Sequence, residues 1–253
     1  MLKIALSGCN GRMGRAITEL ASQRGDMEIV AGFDAVPNRL STYPVYADPF
    51  EYTGEMDVYV DFSTASALDH ILEYCVPRGI PLLLATTGHS DAQLAALHKA
   101  AEKIAVFKSP NLSLGVAVLS DLVRRATRIL GADYDIEIIE RHHNQKLDAP
   151  SGTAMSLAQD VQAELPFSAE LVYDRHERRE KRPKNEIGMH ALRGGTIVGE
   201  HEVVFAGTNE VLSIHHSAQS REVFAAGALH AAKYLAGRAP GMYNMRDLVA
   251  SVD

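Results

Sequence analysis

The chain has 253 residues, of which 46% are hydrophobic and 23% are charged, and its formal net charge is −7. That apolar content is enough for a sizeable core and excludes an intrinsically disordered chain. The negative charge disfavours nucleic-acid binding, because a phosphate backbone would be repelled. No apolar run approaches the roughly 20 residues of a membrane-spanning helix, and the apolar start is too short for a signal peptide. Since Cys9 and Cys75 are the only cysteines and form no CxxC pair, we expect neither disulfides nor a metal site. We predict a cytoplasmic globular protein that binds neither nucleic acid nor a membrane.

Short apolar runs alternate with helical patterns over the first half of the chain, which indicates a parallel α/β sheet with crossover helices. The predicted strands are Leu2–Ser7, Met27–Phe33, Asp57–Asp61, Pro81–Ala85 and Ile104–Phe107. The predicted helices are Arg12–Arg24, Ser66–Val76, Asp91–Glu102 and a longer one from Leu112 to Gly131.

The pattern changes after the long helix. Polar and apolar residues alternate over Tyr134–Glu140, Thr196–Phe205 and Glu210–His216, which predicts a half-exposed sheet, mixed or antiparallel, in an α+β domain. Helices are predicted at Ser151–Leu165 and Arg221–Leu235. The charged run from Asp174 to Lys184 has no aromatic residue, so it is interpreted as a solvated loop. We predict a first domain over residues 1–112, a second over residues 113–219, and a return of residues 220–253 to the first.

A glycine loop follows the first predicted strand and begins the first helix. Its residues are Gly8, Cys9, Asn10, Gly11, Arg12, Met13 and Gly14. Glycines in this context allow a tight turn and bring backbone amides close to a pyrophosphate, which the positive end of the helix dipole also favours. Asn10 replaces the middle glycine of the G-x-G-x-x-G pattern, and we expect it to tolerate a left-handed backbone. A strand-to-helix turn without a ligand is the alternative.

Asp34 supplies the second half of a dinucleotide fingerprint. It ends the second predicted strand, twenty residues after Gly14, where a carboxylate can accept hydrogen bonds from both ribose hydroxyls of an adenosine. The same charge would repel a 2′-phosphate. Loop and acid together predict a Rossmann-type doubly wound sheet that binds a nicotinamide dinucleotide, with a loop or N-cap role for Asp34 as the alternative.

The most informative side chains lie between an alternating strand and the next helix. His142, His143 and Lys146 fall within five residues, and they bring a group that titrates near neutrality close to a fixed cation. Such a pair suits acid–base chemistry. A surface loop with incidental histidines is the alternative.

A binding site for a substrate carboxylate, the carboxylate seat, is predicted directly after the histidines and the lysine. Ser151, Gly152 and Thr153 begin a helix after a proline. The free backbone amides, the threonine hydroxyl and the helix dipole favour a bound anion there. An ordinary serine N-cap is the alternative.

With these motifs the chain resembles the 4-hydroxy-tetrahydrodipicolinate reductase (dihydrodipicolinate reductase) family of the diaminopimelate route to lysine. The resemblance rests on GCNGRMG at 8–14 and HHNQKLDAPSGTA at 142–154. It continues through ATTG at 85–88, SPNLSLGV at 109–116, YDIEIIERHH at 134–143, IVGEH at 197–201 and MRDL at 245–248. It implies reduction of a cyclic imine dicarboxylate, formed from its hydroxylated precursor by loss of water, with hydride from NADH or NADPH.

The resemblance also implies roles for individual residues. Residues 8–13 would hold the pyrophosphate, and the nicotinamide side would be lined by Ala85, Thr86, Thr87, Ser109, Pro110, Asn111 and Leu112. His142 would be a proton donor or acceptor and Lys146 a proton donor, and which of them delivers the proton stays open. His143, Gly152 and Thr153, with Ser151 beside them, would bind the substrate. The family forms homotetramers through the sheet of the second domain, so a homotetramer is expected.

Two departures from the family pattern concern the cofactor site. Ala35 follows Asp34, where members that accept NADPH well often carry an arginine, so we expect a preference for NADH with NADPH still accepted. Arg12 or Arg39 could still reach a 2′-phosphate. Ala85 stands where glycine is usual, a small change.

Two other functions remain as alternatives. One is a different two-domain dehydrogenase that acts on aspartate or a semialdehyde. The other is a dinucleotide-sensing protein without catalysis. Neither requires the histidines and the lysine at 142–146.

Overall fold

A computed structural model describes residues 1–252 of the chain. In chain order the strands are β1 (Leu2–Ser7), β2 (Met27–Phe33), β3 (Val45–Tyr46), β4 (Val58–Asp61), β5 (Leu82–Leu84), β6 (Ala105–Lys108), β7 (Asp135–His142), β8 (Glu170–Val172), β9 (Glu186–Arg193), β10 (Gly199–Ala206), β11 (Val211–Ala218) and β12 (Gly241–Tyr243). The helices are α1 (Arg12–Ser22), α2 (Leu68–Arg78), α3 (Asp91–Ala101), α4 (Leu114–Leu130), α5 (Gly152–Glu164), α6 (Glu222–Leu235) and α7 (Met245–Ala250). Within residues 1–252, no helix has both the length and the apolar character that crossing a membrane requires.

The chain divides into two compact units, Met1–Leu114 with the chain from Glu222 onward, and Gly115–Arg221. The first unit contains a parallel sheet with strand order β3–β2–β1–β4–β5–β6–β12. The crossovers after β1, β4 and β5 run through α1, α2 and α3. β5 is buried along its whole length, which explains why its sequence is apolar without alternation.

The carboxyl ends of these parallel strands lie along one edge of the sheet. The strand order changes direction beside β1, because β2 lies on one side of it and β4 on the other. Doubly wound sheets bind their ligands at such a point. The topology therefore places the segments after β1, β2, β4, β5 and β6 around one potential ligand site.

The second unit is built on a five-stranded mixed sheet with strand order β11–β10–β7–β9–β8. β10 is antiparallel to β7 and β11, whereas β9 is parallel to β7 and β8. Along β7 and β10 every second residue is buried, so the sheet has one inner face. The core between that face and two helices contains Ile136, Ile138, Val203 and Phe205 of the sheet, Leu119 and Val123 of α4, and Leu157 and Val161 of α5.

The predicted fold class, a parallel Rossmann-type sheet followed by a second mixed sheet, is confirmed. Strands β8 and β9 have no counterpart in the prediction. β9 is buried over four successive residues and then becomes mostly exposed, so it lacks the alternation that marks a half-buried strand. Pairing with the central strand β7 gives this segment its structure.

The charged run from Asp174 to Lys184 is a loop that is exposed over most of its length. Arg175 and Arg178 pair with the buried carboxylate of Glu186, and Arg182 Nε donates to Glu137 Oε1 at 2.9 Å. The run is thus an exposed loop, as interpreted, and carboxylates of the sheet anchor three of its arginines through ion pairs.

Candidate active site

At the turn between β1 and α1, backbone segments approach one another closely at two glycines. Gly8 has φ +72°, and a Cβ there would lie 2.5 Å from the carbonyl oxygen of Phe62. A Cβ at Gly14 would overlap the backbone of Gly8 and Cys9. Gly11 is the N-cap of α1 and brings no capping side chain, which leaves the first amides of the helix for an anion. This turn fits a dinucleotide pyrophosphate, and Arg12 and Met13 are the first residues of the helix behind it.

Asn10 connects the glycine loop to the segment after β2. Its side-chain amide donates to the carbonyl oxygens of Val36 at 2.8 Å and Asn38 at 3.1 Å. Its backbone amide donates to Asp34 Oδ2 at 3.0 Å, and the amide of Val36 donates to Oδ1 at 3.2 Å. The tolerance of asparagine for a left-handed backbone is not used at Asn10, because positive φ occurs only at glycines among residues 1–252. Asparagine instead uses its side chain here to hold the glycine loop beside Asp34.

The other predicted cofactor residues follow β5 and β6: Ala85, Thr86, Thr87, Ser109, Pro110, Asn111 and Leu112. Asp61, at the end of β4, is fully buried and organises this edge, although no sequence pattern singled it out. Its carboxylate accepts hydrogen bonds from Ser63 Oγ at 2.5 Å and from Thr86 Oγ1 at 2.9 Å. Burial raises the pKa of Asp61, and these hydrogen bonds oppose the increase. Thr86, which also lies 3.2 Å from His89 Nε2, is therefore held in a defined position.

His142 ends β7 on the inner face of the second sheet, and 8% of the residue is exposed. Its Nδ1 lies 2.6 Å from Glu140 Oε2. Its ring meets that of His201 edge-on, with the centroids 5.2 Å apart. A Cβ at Gly199 would lie 3.0 Å from Nε2, so the backbone of β10 packs against that nitrogen. His142 thus belongs to a buried network, whereas His143 after it is half-buried.

Glu140 is the anionic centre of this network. Burial works to raise the pKa of Glu140, but hydrogen bonds from Arg193 and His142 outweigh it and hold the pKa below its ordinary value. The carboxylate is therefore ionised at neutral pH, with the Arg193 guanidinium as its counter-ion.

Lys146 lies in the loop that follows β7, and its Nζ binds Asp148 Oδ1 at 2.8 Å. This ammonium lowers the pKa of Asp148, and a hydrogen bond from the backbone of Gly152 contributes to the same effect. Asp148 therefore occupies both the predicted proton donor, Lys146, and one backbone amide of the predicted carboxylate seat.

Ser151 is the N-cap of α5 and lies beneath the predicted carboxylate seat. Its Oγ accepts from the amide of Ala154 at 3.2 Å and lies 2.9 Å from His201 Nε2. Burial and the neighbouring His142 lower the pKa of His201 to about 4, so its ring is neutral at pH 7. Gly152 and Thr153 begin the helix, and the space beside the Gly152 Cα is open. The seat is therefore accessible at Gly152 and supported by buried groups at Ser151.

The structure adds Arg193 and His201 to the predicted site, with Glu140 in a supporting role. Glu140 is in phase with the buried isoleucines of β7, and His201 is in phase with the buried residues of β10. This period of two is a sequence signal that could have placed both side chains on the inner face. Arg193 has no such signal, because β9 lacks the alternation.

Comparison with known proteins assigns the chain to a family. The model of "Dihydrodipicolinate reductase, N-terminus" matches residues 2–112, and the model of "Dihydrodipicolinate reductase, C-terminus" matches residues 115–249. A 4-hydroxy-tetrahydrodipicolinate reductase from Caldanaerobacter subterraneus subsp. tengcongensis is 49% identical over 249 residues, or 98% of each chain. One from Clostridium tetani is 46% identical over 245 residues, which cover 97% of this chain and 96% of that one.

A solved structure of similar fold is the dipicolinate-bound dihydrodipicolinate reductase from Paenisporosarcina sp. TG-14. It has a TM-score of 0.81 at 24% identity and covers 96% of this chain and 97% of that chain. Since family models cover both halves of the chain and relatives match it almost from end to end, the chain is an oxidoreductase that belongs to the dihydrodipicolinate reductase family.

Proposed function

We propose that this chain reduces the cyclic imine formed from 4-hydroxy-tetrahydrodipicolinate by loss of water, and that the product is the tetrahydrodipicolinate of the route to diaminopimelate and lysine. The observation that best supports this reaction is the content of the segment from Glu140 to Thr153. It combines a lysine ammonium, a buried histidine–carboxylate pair and the N-terminus of α5. An imine dicarboxylate requires donors for its carboxylates and a proton for its nitrogen, and these groups supply both.

A nicotinamide cofactor at the turn between β1 and α1 supplies the hydride when it is bound, and residues of the chain supply the proton. Lys146 suits the role of donor better than His142. Its side chain is 22% exposed, whereas that of His142 is 10% exposed and engages Glu140 through Nδ1. His142 then does not transfer the proton itself, but sets the electrostatic environment of the loop that carries Lys146.

The amides of Gly152 and Thr153, with His143, bind the substrate carboxylates. Lys146 and Gly152 contact the Asp148 carboxylate in the free chain. A substrate carboxylate therefore exchanges with that of Asp148 as it enters, and the exchange frees the ammonium of Lys146 for the imine.

The cofactor is NADH in preference to NADPH. The Asp34 carboxylate is placed beside the glycine loop, and Ala35 offers no cation to a 2′-phosphate. Arg39 donates to the carbonyl oxygens of Ser41, at 3.2 Å, and Thr42, so its guanidinium is engaged within its own loop. NADPH remains a weaker cofactor.

A homotetramer formed through the outer face of the second sheet completes the proposal. Helices α4 and α5 pack on the inner face. The outer face presents Leu192 and Val211, which are 48% and 64% exposed, beside the charged pairs of Arg141. Apolar side chains among paired charges suit a subunit interface. A cytoplasmic location stays a prediction.

A coupled steady-state assay tests the reaction. Dihydrodipicolinate synthase generates the substrate within the reaction mixture. The oxidation of NADH and of NADPH is followed in parallel reactions. We expect oxidation that depends on the synthase product. Turnover of aspartate or a semialdehyde instead would favour another dehydrogenase, and NADH binding without any turnover would favour a sensing protein. Sedimentation velocity measures whether the active species is a tetramer.

A further inference from the structure

The side chain of Glu140 is only 1% exposed. Its carboxylate accepts four hydrogen bonds, from donors in three parts of the second unit. Oε2 accepts from His142 Nδ1 at 2.6 Å and from Arg193 Nη1 at 2.8 Å. Oε1 accepts from the backbone amide of Ser151 at 3.0 Å and from Arg193 Nη2 at 2.7 Å. One carboxylate thus joins the end of β7, the start of α5 and the end of β9.

We infer that Glu140 is a positioning residue that aligns the His142 ring and the carboxylate seat at the start of α5 with each other. This inference rests on the proposed function of both groups. The bond to Nδ1 fixes which ring nitrogen faces Glu140 and holds the plane of the imidazole. The bond from Ser151 fixes the residue that begins the seat, directly before Gly152. Neither group can shift without disturbing the other, because both depend on the same carboxylate.

Arg193 connects the loop after β7 to the same carboxylate. Its Nη2 also donates to the carbonyl oxygen of Asp148 at 2.6 Å, in the loop that carries Lys146. A buried carboxylate without a counter-ion would be costly in free energy, and the bidentate contact with the guanidinium offsets part of that cost. The proton donor, the histidine and the seat are thus tied to one buried ion pair.

Glu140→Gln tests the inference at nearly constant side-chain volume. Since an amide NH₂ cannot accept hydrogen bonds, at least two of the four donors lose their acceptor. In metal sites, loss of an outer residue that orients a ligand typically lowers affinity or activity about 10- to 100-fold, and we expect an orienting carboxylate here to have a comparable effect. We expect kcat to fall by about that factor, and the Kd of pyridine-2,6-dicarboxylate, measured by calorimetry, to rise about 10-fold or more. The Kd of NADH, which binds to the first unit, should remain within about twofold of the wild-type value.

Glu186→Gln is the matched control. Glu186 is also buried in the second unit and is also paired with two arginines, but it lies at the opposite end of β9 from Arg193. If the role of Glu140 were only structural, both variants would lower the melting temperature and, below it, both would keep the wild-type kcat and dicarboxylate Kd. That result would overturn the inference, as would equal losses of activity in the two variants.

A measurement on the wild-type protein covers the case in which Glu140→Gln does not fold. The short bond between His142 and Glu140 should give a strongly deshielded Nδ1 proton in the NMR spectrum, and this signal should be absent from His142→Gln. A wild-type spectrum without that proton would refute the alignment. By contrast, a wild-type protein that neither oxidises NADH with the synthase product nor binds pyridine-2,6-dicarboxylate would refute the proposed function itself.

Discussion

The proposed preference for NADH rests on the negative charge at the end of β2, and we expect two substitutions there to reverse it. A 2′-phosphate in this position brings negative charge close to the Asp34 carboxylate. Two unit charges about 4 Å apart repel by about 1 kcal/mol in water and about 4 kcal/mol at the effective dielectric constant near a protein surface. Asp34 is half-buried, and its oxygens already accept hydrogen bonds from two backbone amides. Because these amides partly neutralise the carboxylate, we expect the repulsion energy to lie below the upper end of this range. A penalty of about 1.5–3 kcal/mol corresponds to roughly 10- to 150-fold in kcat/KM.

The assay compares kcat/KM for NADH and NADPH, with the dicarboxylate substrate saturating, in four proteins. In the wild type we expect the ratio to favour NADH by the factor given above. Ala35→Arg should narrow the gap, because a guanidinium can bind the phosphate through two hydrogen bonds. Asp34→Ser combined with Ala35→Arg should reverse the ratio of kcat/KM, so that NADPH is preferred. Ala35→Gln introduces a long but uncharged side chain, and this control should leave the ratio unchanged. Equal or greater kcat/KM with NADPH in the wild-type protein would refute the electrostatic argument.

Four further predictions concern the second unit. Lys146→Ala should lower kcat by roughly 10²- to 10⁴-fold with an unchanged circular dichroism spectrum, and His142→Ala should have a smaller effect; a near-normal kcat would remove Lys146 from the mechanism. Thr153→Val removes a hydroxyl at constant volume, so KM for the dicarboxylate should rise while the Kd of NADH stays constant; weaker NADH binding instead would assign this helix start to the cofactor. Asp148→Asn removes an exposed anion from Lys146 and should lower KM for the dicarboxylate by up to about fivefold, and a higher KM would show that Asp148 assists binding. Because folding lowers the pKa of His201 to about 4, the unfolded chain takes up a proton first as the pH falls. The free energy of unfolding should therefore fall between about pH 6.5 and 4, by about 3 kcal/mol in total, and His201→Gln should lose this part of the pH dependence.

The sequence by itself determined the features that depend on short-range periodicity and on residue type. Unbroken apolar runs such as β5 indicated a parallel sheet, and alternation along β7 indicated a half-exposed one, because the period of the pattern reports how many faces of a strand are covered. The glycines of the first turn were informative for a similar reason. The positive φ of Gly8 and the close contact at Gly14 leave no room for a side chain.

Only the tertiary structure decided which distant side chains meet. Arg193 reaches Glu140 across 53 residues of sequence, and His201 reaches Ser151 across 50. Both contacts depend on the placement of β9 and β10 on either side of β7, which no local pattern in the chain specifies. Asn10 shows the same limit on a smaller scale, since its residue type indicated only a tolerance for a left-handed backbone, whereas its side chain binds the segment after β2. Strand order and packing select such contacts, because a buried polar group takes the partner that the fold brings within reach.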